Sequence, residues 1–119
     1  MTISEPSSWS PNHLSKDRVL SLMSRPRRRK VVHALLEADG KSLTRTELVN
    51  VVASGEEERP PELIEAEVLR TVQTSLDHIH LPKLADVGVV DYDRGAGSVA
   101  LGPAAGDVVP LLRFIAEEE

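Results

Sequence analysis

A chain of 119 residues, 40% apolar and 28% charged, has the length for one domain with a single modest core and little room for a second. Its aromatic residues are Trp9, Tyr92 and Phe114, which leaves the core to Leu, Val, Ile and Ala, and the lack of cysteine excludes disulfides, thiolate metal sites and cysteine nucleophiles. With 14 basic and 19 acidic residues the formal charge is −5, so the long-range field opposes nucleic acid unless the charge is unevenly distributed.

The charge is uneven. Ser15 to Lys30 holds Lys16, Arg18, Arg25, Arg27, Arg28, Arg29 and Lys30 against Asp17 alone, so this stretch carries +6 and the remainder −11. No apolar run reaches the roughly 20 residues that cross a bilayer, and the first residues lack the basic-then-apolar pattern of a secretory signal. A cytoplasmic protein with no membrane partner is expected.

Met1 to Leu14, rich in Ser, Pro and Asn and without periodicity, reads as a flexible tail carrying Trp9. Ser15 is placed to cap a short helix bearing Val19, Leu20 and Met23. Pro26 fits the first turn of a second helix, Arg27 to Ala38, whose apolar set is Val31, Val32, Ala34, Leu35 and Leu36, and Asp39-Gly40 stops it.

Lys41 to Leu43 supplies a short strand. Thr44 followed by Glu47 has the spacing of a capping box and starts a helix over Thr46 to Ser54, with Leu48, Val49, Val51 and Val52 on its apolar side and Ser54-Gly55 as its end. The acidic, proline-containing link Glu56 to Pro61 follows.

Glu62 to Ile79 is the longest helical pattern, with core positions Leu69, Val72, Leu76 and Ile79. Pro82 removes a backbone donor and predicts a kink or division near His80. Leu81, Leu84 and Val87 continue a helical stripe until Gly88, and Val89 to Tyr92 is strand-like. Asp93 to Gly97 forms a polar turn, after which Ser98 to Leu101 returns as a second strand. Beyond Pro103 the stripe Val108, Leu111, Leu112 and Ile115 predicts a helix that is cleaner after Pro110.

Helix, helix, short strand, helix, long helix and a two-stranded wing make a mostly α domain with a small β-wing, the order of a winged helix-turn-helix. The expected layout is a tail over 1–14, the domain over 15–102 and a C-terminal helix over 103–119.

The run His80, Leu81, Leu84, Gly88, Val89, Val90 resembles the closing helix of the small winged-helix repressors of the arsenic-sensor type. More closely, Ser24-Arg25-Pro26-Arg27-Arg28-Arg29 with the later HLPKL and GVV-Asp-Tyr-Asp resembles a family of haloarchaeal small winged-helix domains of mostly unassigned function. The resemblance covers roughly Ser15 to Leu101. It implies a DNA-binding transcription regulator that acts as a homodimer.

A helix in the major groove must present hydrogen-bonding groups to base edges while cations hold the backbone. Arg70, Thr71, Gln73, Thr74, Asp77 and His78 are the base-reading candidates on the long helix. Its start carries Glu62, Glu65 and Glu67, and the span Glu62 to Lys83 sums to −2. Arg25, Arg27, Arg28, Arg29, Lys30, Lys83 and Arg94 are candidates for phosphate contact. The alternative for the arginine cluster is pairing with the protein's own acidic surface, including Glu56 to Glu58. Val108, Leu111, Leu112 and Ile115 are candidates for a dimer surface.

His78 and His80 do not share a helix face, so no metal or other cofactor is expected. Gly95-Ala96-Gly97 lacks the lysine and hydroxyl of a phosphate loop. No serine or histidine stands in a nucleophile, base and carboxylate context, so no catalysis is expected. The competing expectation is a non-catalytic protein-interaction module on the same scaffold.

Overall fold

A computed structural model of the protein describes residues 14–118. The expected tail, apart from Leu14, and its Trp9 lie outside the described residues. The elements are α1 (Lys16–Leu22), α2 (Pro26–Glu37), β1 (Ser42–Thr44), α3 (Arg45–Glu57), α4 (Ala66–Ser75), a π turn (Leu76–His80), α5 (Leu81–Asp86), β2 (Val90–Asp93), β3 (Ser98–Leu101) and α6 (Ala105–Glu118). The strands pair antiparallel in the order β1-β3-β2, with Leu43 and Tyr92 flanking Val99. The domain is mostly α-helical with a small, unclosed sheet as its wing, a winged-helix-like arrangement.

Local chemistry explains most of the boundaries. Ser15 Oγ accepts from the Arg18 N–H at 3.1 Å and so satisfies one orphan donor of α1. Thr44 and Glu47 form the full capping box: Thr44 Oγ1 accepts from the Glu47 N–H at 3.1 Å, and Glu47 Oε1 accepts from the Thr44 N–H at 2.9 Å. At the end of α5 the Val89 N–H reaches the Leu84 carbonyl and the Gly88 N–H the Ala85 carbonyl, with Gly88 at φ 81°. These are the two bonds of a Schellman stop, which requires a left-handed residue and so favours glycine. The strand after it is Val90–Asp93, one residue later than Val89 to Tyr92, because Val89 is spent on that stop.

Shifts of one residue also occur in α2 (expected Arg27 to Ala38), β1 (expected Lys41 to Leu43) and the start of α3 (expected Thr46), and three boundaries depart further from expectation. The helix α3 runs through Ser54-Gly55 and ends at Glu57, with Glu58 left-handed at φ 56°. Gly55 serves packing rather than termination: a Cβ there would lie 3.3 Å from Lys30 Cε. Glu62 and Leu63 belong to a 3₁₀ turn (Pro61–Leu63), so α4 begins only at Ala66. Helix α6 continues through Pro110 from Ala105, where a clean helix is expected only after the proline. The carbonyl four residues earlier is that of Gly106, which has no side chain and open space around it.

The long helix is divided as Pro82 predicts, by a π turn. Pro82 has no N–H for the carbonyl of His78, and the Leu81 N–H instead reaches back five residues to Leu76. The extra residue advances the face by about 100°. Ile79, expected in the core, is therefore 56% exposed, and His80 is 9% exposed in its place.

The core gathers Val31, Val32 and Leu35 from α2, Leu48 and Val52 from α3, Val72 from α4 and Leu76 from the π turn. Leu81, Leu84, Val89 and Val99 join them from α5 and the wing. Val108 of α6 is fully buried in the same cluster, and α6 packs on α1 and α2. Leu14 N–H donates to Asp107 Oδ2 at 2.8 Å, which holds the start of the described chain against α6. Among the described residues no helix is long and apolar enough to cross a membrane.

Candidate nucleic-acid interface

Helices α3 and α4 pack together, joined by the link 58–65, within the winged-helix-like arrangement. Burial of Val72 and Leu76 turns the opposite face of α4 outward, where a groove of about 590 Å³ runs along it. Leu69, Arg70, Gln73, Thr74, Asp77 and His78 line this groove. Arg70, Gln73, Thr74 and His78 are exposed, and none has a side-chain hydrogen bond or ion pair among the described residues.

The other two base-reading candidates are engaged. Thr71 donates its hydroxyl to the Glu67 carbonyl at 3.0 Å, one turn back on its own helix. Asp77 accepts from the Tyr92 hydroxyl at 2.5 Å and lies 3.8 Å from Arg45 Nη1. Arg45 Nη1 also donates to the Tyr92 hydroxyl at 3.2 Å, and the Arg45 N–H donates to the Gly97 carbonyl at 2.8 Å.

These contacts link the π turn that follows α4, the start of α3 and the wing. Burial, together with donation to Asp77, pushes the Tyr92 hydroxyl above its ordinary pKa, so it stays a donor at neutral pH. Sequence reasoning missed Arg45 and Tyr92. The available signal was Arg45 immediately after the cap Thr44, with Tyr92 as the inward residue between outward Asp91 and Asp93.

The cluster of basic residues divides. Arg27 makes a bidentate pair with Glu56, Nε to Oε2 at 2.6 Å and Nη2 to Oε1 at 2.9 Å, which raises its pKa through that hydrogen bond. Arg28, 5% exposed, donates to the Leu22 carbonyl at 2.6 Å and the Ser21 carbonyl at 3.1 Å, closing the end of α1. Its Nη1 lies 3.3 Å from His80 Nδ1. Arg29 donates to the Met23 carbonyl at 2.7 Å, and the stem of Lys30 lies against Gly55. Arg25, Lys83 and Arg94 are exposed and make no such contact among the described residues. Arg94 stands in the wing turn, away from the cluster in sequence.

His80 is held neutral. Burial is the main cause of its lowered pKa, followed by the positive field of Arg28, Arg27 and Arg25, with Glu56 acting weakly the other way. Among the described residues no group of three or more His, Asp or Glu is arranged for a metal. On α6, Val108 is committed to the core, Leu111 and Leu112 are half-buried against it, Ile115 is half-buried, and Phe114 is 59% exposed.

No curated protein and no solved structure matches the chain. One family model, described as a domain of unknown function, matches residues 20–100, from within α1 to the last wing strand, and leaves α6 outside. That match takes in α2 through α5 and the wing up to Ala100, more than half of the chain, and the protein therefore belongs to the DUF7344 family.

Proposed function

We propose that the protein is a DNA-binding transcription regulator that reads duplex DNA with the exposed face of α4 and acts without catalysis. The observation that carries this reading is the stripe Arg70, Gln73, Thr74 and His78, all solvent-facing and unpaired among the described residues, on the second helix of a helix-turn-helix pair. Arginine suits the guanine edge and glutamine the adenine edge in the major groove. In this reading Arg94, exposed in the wing turn, contacts the adjacent backbone or minor groove. The resemblance to haloarchaeal winged-helix domains and to arsenic-sensor-type repressors supports the same class, with a cytoplasmic location.

In this reading the phosphate contacts come from Arg94, Arg25 and Lys83, which are exposed and unpaired among the described residues, rather than from Arg27, Arg28 and Arg29, which are less exposed and bonded within the protein. A homodimer formed along the outer edge of α6, through Leu111, Leu112, Phe114 and Ile115, would present two reading helices with two-fold symmetry. Selection of bound sequences from random duplex at two salt concentrations tests it.

A second reading, a protein-interaction module on the same scaffold, is favoured by Glu62, Glu65 and Glu67, all exposed at the entry to α4. Three carboxylates there repel phosphate. Loss of the selected sequence preference on Arg70→Ala separates the two: the regulator loses it, whereas the interaction module has none to lose.

A further inference from the structure

The turn between α1 and α2 faces the π turn and α5 across a cleft of about 680 Å³, within the roughly 300–1,000 Å³ typical of small-ligand pockets. Arg25, Arg28 and Lys83 line it, Ser21 adds a hydroxyl, and Asp86 is its single carboxylate. Arg25 and Lys83 are exposed without a partner among the described residues. Arg28 forms part of the buried lining with His80.

A guanidinium carries five N–H donors. Arg28 uses three, toward Leu22, Ser21 and His80, which leaves one on each terminal nitrogen. Free guanidinium donors suit an oxyanion. Glu56 does not neutralise the cleft, because both of its oxygens are held by Arg27. Positive charge is therefore concentrated beside a histidine whose pKa is lowered by burial first and then by the same arginines.

We propose that this cleft binds a small phosphate-bearing molecule, with the phosphate held among Arg25, Arg28 and Lys83. Three cations against one carboxylate match a dianion, and a volume of this size admits an organic moiety beside it. The DNA backbone offers the same chemistry, but Arg28 and His80 are 5% and 9% exposed and lie beyond the reach of a stiff duplex. A free small molecule is the better fit. His78 lines both the cleft and the groove on α4, so an occupied cleft adjoins the reading face. The site itself does not depend on the protein binding DNA.

The probe is inorganic pyrophosphate added to the full chain at constant ionic strength, pH 7.5, with amide and imidazole shifts followed by NMR. Saturable shifts at Arg28, His80 and Lys83 are expected, with a dissociation constant below about 1 mM. The exposed pair of substitutions Arg25→Gln and Lys83→Gln should leave the dispersed spectrum intact and weaken binding by about tenfold or more. Bound anion favours the charged imidazole, so the His80 pKa should rise when the site is filled. Shifts that fail to saturate, or that persist unchanged in the double variant, overturn the proposal. A short duplex at equal phosphate concentration serves as the second arm: identical shifts from it, undisplaced by pyrophosphate, would assign the site to backbone phosphate and overturn the small ligand.

Discussion

Arg28 and His80, 52 residues apart in sequence, meet in the interior with Nη1 3.3 Å from Nδ1, and the same guanidinium closes the carbonyl end of α1. The pair joins the start of the domain to the π turn that follows α4. It requires an uncharged imidazole, because a proton on Nδ1 would set two cations against each other out of water.

Acid should therefore loosen the protein at this joint. The folded-state pKa of His80 lies below its ordinary value of 6.5, through burial first and then Arg28, Arg27 and Arg25. Below pH 6.5 the unfolded chain binds more protons at this position than the native one, so stability is full above that pH and declines as pH falls toward the folded pKa. His80→Asn keeps an acceptor near Nδ1 and removes the titration. Urea midpoints measured from pH 7.5 to pH 5 should decline less in the variant than in the parent, and equal slopes would refute the assignment.

The register across the π turn makes a paired prediction. Leu81 is 0% exposed and Ile79 56% exposed, although a continuous α-helical stripe demands the reverse of Ile79 and His80. Leu81→Ala should cost about 2–5 kcal/mol as a buried truncation, and Ile79→Ala about 0.5 kcal/mol or less as a surface change. Denaturant unfolding of the two variants measures both, and a large loss at Ile79 would return the helix to simple α geometry.

Close backbone contact predicts an intolerant glycine. A Cβ on Gly102 would lie 2.3 Å from the Gly88 carbonyl oxygen, where the chain leaves the wing and bonds back through Gly102 N–H to Val89 and Ala104 N–H to Gly88. Gly102→Ala should destabilise by about 3 kcal/mol or more, because the obstructing atom is main chain and cannot rotate away. Gly106→Ala, with open space around it and a helical position, should be neutral or slightly stabilising. Thermal melts of the two variants read the difference.

Tyr92 carries the link between the wing and the π turn that follows α4. Tyr92→Phe removes the hydroxyl that donates to Asp77 and accepts from Arg45. A double-mutant cycle of Tyr92→Phe with Asp77→Asn should give a coupling of about 0.5–3 kcal/mol. A coupling near zero would mean the contact does not hold the wing against the helix.

Much of this architecture is legible in the sequence where the signal is local. Ser15, Thr44 with Glu47, and Gly88 mark helix ends because each satisfies backbone groups within a few residues of itself. Ser98 to Leu101 alternates as a half-buried strand does, and its boundaries match. What was not legible depends on distant partners. Gly55 reads as a stop until Lys30 is seen lying across it, and Ile79 reads as core until the π turn displaces it.

The site shows the same division. Outward residues of α4 follow from periodicity, and Arg70, Gln73, Thr74 and His78 are exposed together. A charge count, however, cannot distinguish Arg25, which faces solvent, from Arg28, which lies buried three residues later. Nor does any spacing bring Arg45, Asp77 and Tyr92 together, since that depends on how the wing folds back on the helix.

DNA reading by the outer face of α4 is tested by retention of random duplex on the purified protein at about 50 mM and about 200 mM salt, followed by sequencing. A two-fold symmetric motif is expected, with binding that weakens by about tenfold or more between the two salts and loss of the motif in Arg70→Ala and Gln73→Ala. Retention of nothing at the lower salt by folded protein would contradict it and assign α4, with Glu62, Glu65 and Glu67 at its entry, to a protein partner.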